Sequence, residues 1–284
     1  DAFTYDSLVE SGKQDEYPKV LSKSNIYLNI ATAIATISGG FLFQFWGGLP
    51  FLITGLAKFV GLALALFVSE PKVDTYKFSL KNSIEITKKG FSQLFSKKML
   101  RYTGLLLIVG VFSTVGYEIL DDAAVVDWGY SATGISILYT SFILLSIPSG
   151  ILYDKIAKKI KPETLIVLAI ILLGINYLFS RWINVYIWTG LFLLRVIYSP
   201  IKRSVIADLI NQHTISSVRA TTLSVYELII KLPFVLLGIP IGTMLQTLGI
   251  KNFSLTFSVV LLTTLGVFII FNKVTATSRQ VTID

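Results

Sequence analysis

The chain has 284 residues and a net charge of +8, with 53% hydrophobic residues, only 15% charged residues and a mean hydropathy of +0.70. This composition excludes an ordinary soluble domain, so the basic excess is assigned to membrane topology and anionic lipid, and no nucleic-acid partner is expected. With no cysteine and a single histidine, His213, the sequence excludes disulfides, thiolate metal sites and an imidazole zinc cluster, and no cofactor is expected.

Eight apolar stretches follow one another along the chain, each close to the ~20 residues that a helix needs to cross ~30 Å of hydrocarbon. They lie at about residues 25–47, 49–69, 101–120, 132–152, 163–181, 184–207, 222–247 and 252–272. Twenty of the 25 Lys and Arg residues lie on one side of the predicted spans, in the alternate connecting segments and the span ends beside them: 1–24, 70–101, 153–162, 202–219 and the tail after 272. The positive-inside rule assigns those segments to the cytoplasm. The sequence therefore predicts an all-α, multi-pass protein of the cell membrane, with eight transmembrane helices and both ends of this chain cytoplasmic.

The longest gap divides the predicted spans into two before it and six after it. Loops of this length usually join domains, so residues 70–100 are predicted to be a cytoplasmic, partly helical linker. Residues 1–69 are then a remnant of an N-terminal bundle, and 101–284 are a C-terminal six-helix bundle with a short tail. Because Asp1–Leu8 has the character of a helix end, we expect a six-plus-six protein whose first helices precede this sequence.

An internal repeat agrees with this count. An offset of 202 residues aligns eight identical residues over 34 positions and superposes the first span on the seventh. The identical pairs include Gly40 with Gly242 and Gly47 with Gly249. Two parallel halves of six helices are an arrangement known in transporters.

The loop from Gly150 to Lys159 carries a recognisable motif. It resembles the G-x-x-x-D-[RK]-x-G-[RK]-[RK] signature of the major facilitator superfamily, with Ala157 in place of the second glycine. The stretch from Arg219 to Ser224, which opens the seventh span, also resembles members of that superfamily. The matching residues are Gly150, Asp154, Lys155, Lys158 and Lys159. The resemblance implies two six-helix bundles, with this chain running from the end of helix four to helix twelve.

The motif residues and Arg219 are predicted to form a gate at the basic side of the membrane. A carboxylate such as Asp154 can bind the positive N-terminal end of a neighbouring helix. The resemblance implies that this helix is the first span, beginning near Ser22–Asn25, and that the contact holds the two halves together. The alternative is an ordinary positively charged turn with one incidental acid.

Charged residues inside the spans are the candidates for solute binding or coupling, because a charge at the bilayer centre costs roughly 2.5–3.5 kcal/mol unless it faces water or a partner. Arg195 lies halfway along the sixth span, where it favours either an anionic solute or an acidic coupling residue outside this chain. Glu227 and Lys231 are four residues apart and can pair along one helix face. The complete set is Arg195, Glu227, Lys231, Glu118 and Asn29, of which Asn29 aligns with Lys231 in the repeat.

Three functional classes are to be distinguished for a multi-pass helical protein of this kind. A secondary transporter moves a small solute, coupled to a proton or ion, by rocking two bundles about a midplane site. An intramembrane enzyme is disfavoured, since the spans hold no nucleophile–histidine pair and no His-Glu-x-x-His motif. A non-transporting sensor or scaffold of the same fold remains the alternative.

Overall fold

The computed structural model describes residues 4, 7–8, 10–68, 80–157, 159–215 and 218–281. Helices account for most of these residues, and no strand occurs among them. The helices are α1 (Tyr17–Phe45), α2 (Leu49–Ala65), α3 (Leu80–Leu94), α4 (Leu100–Val115), α5 (Asp121–Asp127), α6 (Ala132–Ala157), α7 (Pro162–Leu178), α8 (Val185–His213) and α9 (Arg219–Val281), with a π-helical segment, Gly116–Leu120, between α4 and α5.

Local sequence explains where several helices begin. Pro50 and Pro162 occupy the first turns of α2 and α7, where the missing N–H of proline costs nothing. Asn184 precedes α8, and its side-chain oxygen accepts a hydrogen bond from the Ile187 N–H at 3.0 Å. This N-cap satisfies one of the backbone donors that a helix start leaves unpaired.

Helices cover all eight predicted stretches, so the all-α membrane fold is confirmed. In the described part of the chain, three segments are long and apolar enough to cross a membrane: Ile26–Phe45, Tyr102–Asp127 and Arg219–Asn272. Shorter apolar helices cover Leu49–Ala65, Ala132–Pro148 and Pro162–Leu178. The predicted linker also contains a helix, α3.

The long helix α9 contains two predicted spans joined at a bend. Gly249 has φ +71° and ψ 158°, a conformation essentially restricted to glycine. The 202-residue repeat aligns Gly249 with Gly47, which lies between the end of α1 and the start of α2. The repeat therefore aligns two helix junctions as well as the helices on either side of them.

The described chain forms two compact units. One contains α1, α2 and residues Tyr130–Leu144, which include the first half of α6, with Gly40 so close to α6 that an added Cβ would overlap Ser136. The other contains α3–α5, the rest of α6, and α7–α9, and its core forms where α9 packs on α4 and α7. A Cβ at Gly110 of α4 would lie 2.4 Å from Ile230 of α9, so glycine allows this close approach. The predicted boundaries at 69 and 101 stay a prediction.

Candidate solute and coupling site

A buried ion pair lies at the centre of the second unit. The Arg195 guanidinium donates a hydrogen bond through Nη2 to Oδ2 of Asp121. The side chains of Arg195 and Asp121 are 13% and 1% exposed, so neither charge is screened by bulk water. Because an uncompensated charge is so costly at such a position, the two residues depend on each other for burial.

Tyr177 of α7 completes a three-residue cluster with Asp121 and Arg195. Its hydroxyl accepts a hydrogen bond from Arg195 Nη1 at 3.3 Å. The same hydroxyl contacts Oδ1 of Asp121 and lies 3.1 Å from the Gly116 carbonyl oxygen, so its single proton can be donated to either acceptor. The cluster thus connects three helices through one carboxylate, one guanidinium and one phenol.

The π-helical segment determines where Asp121 lies. The Asp121 N–H donates to the Gly116 carbonyl, five residues earlier, which inserts one extra residue into the helical turn. Gly116 also makes room for the phenol, because a Cβ there would lie 3.2 Å from the Tyr177 hydroxyl. The absence of a side chain at Gly116 and the wider turn together bring Asp121 and Tyr177 into contact.

Aromatic rings surround the Arg195 guanidinium. Its Cζ lies 4.6 Å from the ring centroid of Phe192 and 5.4 Å from that of Tyr177. Phe257 of α9 packs edge-on against Tyr177, with ring centroids 5.4 Å apart. These rings exclude water from the cluster and add cation–π attraction to the guanidinium.

Lys202 is a second cation on α8, and the sequence-based selection did not include it. Its Nζ donates a hydrogen bond to Ser113 Oγ of α4 at 3.0 Å, and the side chain is partly buried. Lys202 follows Arg195 by seven residues, which is about two helical turns, so both cations share one side of α8. This spacing is visible in the sequence, but Lys202 lies close to the predicted end of the span and was not among the candidate residues.

The other predicted candidates lie outside this cluster. Glu227 and Lys231 are exposed and form no ion pair with each other, so the pairing suggested by their spacing is not found. Glu118 is exposed within the π-helical segment, and Asn29 is exposed on α1. The structure therefore brings Arg195 together with Asp121, which the sequence analysis had not selected.

The structure describes only part of the predicted gate. Lys155 and Lys159 are exposed, and Arg219 begins α9 with a partly buried side chain. Gly150, Asp154 and Lys158 are among the residues whose surroundings lie outside the described part of the chain. The predicted contact of Asp154 with the start of the first span stays a prediction.

Comparison with known proteins gives one match. Residues 8–236 match the family model described as Major Facilitator Superfamily. The chain belongs to the major facilitator superfamily. It is thus an integral, multi-pass membrane protein and a transporter of the major facilitator kind, a family of transporters and not of enzymes. No curated protein and no solved structure matches the chain.

Proposed function

We propose that this major facilitator protein is a secondary active transporter that moves a small anionic solute by alternating access. The observation that carries the proposal is the buried Asp121–Arg195–Tyr177 cluster, with Lys202 on the same side of α8. Within the cluster Asp121 pairs with Arg195, and Lys202 adds a further positive charge on the same side of α8, which favours an anionic solute. Arginine is suited to this role because its planar fork can bind a carboxylate or phosphate with two hydrogen bonds.

The coupling ion in this proposal is a proton that binds to Asp121. While the carboxylate is ionised, Arg195 is paired and has little affinity for a solute anion. Protonation removes the negative charge from Asp121, and the guanidinium then becomes available for the solute. Solute and proton would therefore bind together, and releasing one favours releasing the other. The protein lies in the cell membrane in this proposal, with the basic loops on the cytoplasmic side.

Transport by purified protein in proteoliposomes tests the proposal. Uptake of small carboxylates and phosphates should exceed that of neutral and cationic analogues, and it should increase when the proton gradient is directed with the solute. Asp121→Asn imitates the protonated carboxylate. Although this variant is less stable, its folded fraction should retain solute exchange between the two sides, measured per folded molecule, while losing its response to the proton gradient. Arg195→Lys keeps the charge but loses the fork, so uptake should fall much more than expression does.

The same conservative substitution at an exposed arginine provides a matched control. Arg181 is exposed, and Arg181→Lys should leave uptake unchanged. Binding of an anion without any flux would support the sensor or scaffold alternative. An unchanged proton dependence in Asp121→Asn would refute the coupling role of Asp121.

A further inference from the structure

The linker helix α3 has two faces of different character. Gly90 and Leu94 are buried, α3 packs on α9, and a Cβ on Gly90 would lie 3.0 Å from Thr221 of α9. About 100° around α3 from this packed side, Ile84 is 56% exposed, Phe91 is 39% exposed and Phe95, just after the helix, is 44% exposed. The helix α3 therefore packs on one side and presents a second apolar side that the described part of the chain leaves uncovered.

Positive charge surrounds this second apolar side. Lys81 precedes Ile84 by three residues and Lys88 follows it by four, so both lysines share its side of the helix, and both are exposed. The acidic residue of α3, Glu85, is neutralised by Lys89, whose Nζ lies 3.0 Å from the carboxylate. Ile84, Phe91 and Phe95, together with Lys81 and Lys88, make up what we call the outer face of α3.

The position of α3 in the chain places it at the membrane boundary. The membrane-crossing helix α4 begins at Leu100, five residues after Phe95, and five residues span at most ~18 Å. Lysines flanking exposed apolar side chains are typical of helices that lie in the headgroup region of a bilayer. We propose that the outer face of α3 binds the anionic headgroup layer of the bilayer that the protein spans, with Ile84 and Phe91 at the acyl boundary and Lys81 and Lys88 on lipid phosphates.

Because the chain contains no cysteine, a single introduced cysteine can report the surroundings of one face. Ile84→Cys places a polarity-sensitive fluorophore on the outer face. Asn82→Cys is the matched control, since it is also exposed and lies two residues away, ~200° around the helix. The labelled full chain is reconstituted into vesicles of phosphatidylcholine alone or mixed with phosphatidylglycerol, with lipid-borne quenchers in the acyl chains.

We expect the label at position 84, but not the label at position 82, to be quenched in the anionic vesicles. Lys81→Gln and Lys88→Gln should each lower the ratio of membrane-bound to membrane-free helix about fivefold, which corresponds to ~1 kcal/mol per lysine. Added salt should also lower this ratio, because it screens the attraction between the lysines and the lipid phosphates. Both lysines are exposed, so these variants should keep the elution volume and helicity of the parent.

Three results would overturn the proposal. Equal quenching at positions 82 and 84 would mean that the outer face has no preferred environment. Equal quenching in neutral and anionic vesicles would remove the anionic headgroup as the partner. A label at position 84 that is shielded from both lipid quenchers and aqueous iodide would show that another part of the protein covers this face. None of these outcomes depends on whether the protein transports a solute.

Discussion

Neutralising one member of the Asp121–Arg195 pair should destabilise the protein strongly. Asp121→Asn leaves the guanidinium at a position where only 13% of its side chain is exposed, and Arg195→Gln leaves a carboxylate that is 1% exposed. Removing one partner of a buried ion pair typically costs ~3–5 kcal/mol. The double variant removes both charges and leaves no unpaired ion, so it should lose no more stability than either single variant. The interaction free energy in the double-mutant cycle should therefore be about 3 kcal/mol, the upper part of the range for residues in contact.

Unfolding of the detergent-purified protein in mixed micelles with increasing dodecyl sulfate measures these free energies. Tryptophan fluorescence is a suitable signal, because Trp188 is fully buried and stacks on Trp128 with ring centroids 6.3 Å apart. Single variants whose effects add within ~0.5 kcal/mol would show that the two charges are independent and would refute the reasoning.

Three further substitutions test other parts of the structure. Tyr177→Phe removes the hydroxyl that contacts Arg195, Asp121 and the Gly116 carbonyl. The same unfolding assay should show a loss of ~1–3 kcal/mol. An unchanged free energy of unfolding would show that this hydroxyl does not stabilise the cluster. Gly110→Ala should cost ~1–3 kcal/mol by overpacking, whereas Gly190→Ala, with no atom within 4 Å, should be neutral or stabilising in the same titration. Gly249→Ala should lower the free energy of unfolding by ~1–3 kcal/mol because position 249 has a positive φ. Gly242→Ala, in open space within the helix, should not lower it. Equal unfolding midpoints for the two variants would show that the bend is not strained.

The spans could be predicted because a membrane imposes a length on apolar helices. The bend at Gly249 is predicted only as a gap between two apolar stretches, because hydropathy marks the break without giving its backbone conformation. The charge cluster could not be derived in the same way. Glu118, Asp121 and Asp122 are three acids within five residues, and the sequence pattern of a regular α-helix does not indicate which of them faces the protein interior. The π-helical turn decides this in favour of Asp121, and hydropathy carries no signal for such a turn.

Long-range pairing was the second limit. The sequence shows no acid close to Arg195 on its own helix, so an anionic solute or an acid outside this chain is the predicted partner. The partner is Asp121, 74 residues earlier. The hydrophobic pattern of α4, α7 and α8 shows that each helix is apolar. It does not show which sides of these helices meet.

The wider turn at Gly116–Leu120 has a consequence for how this site could arise and be lost. A one-residue insertion in an α-helix rotates everything after it by ~100° relative to everything before it. Deleting a single residue from this segment would restore the regular helix and turn Asp121 away from Arg195 and Tyr177, although all three residues would still be present. The charge pair is therefore sensitive to a change in length as well as to substitution. In a comparison of related chains, an aligned aspartate would signify the same site only where the extra residue is also present.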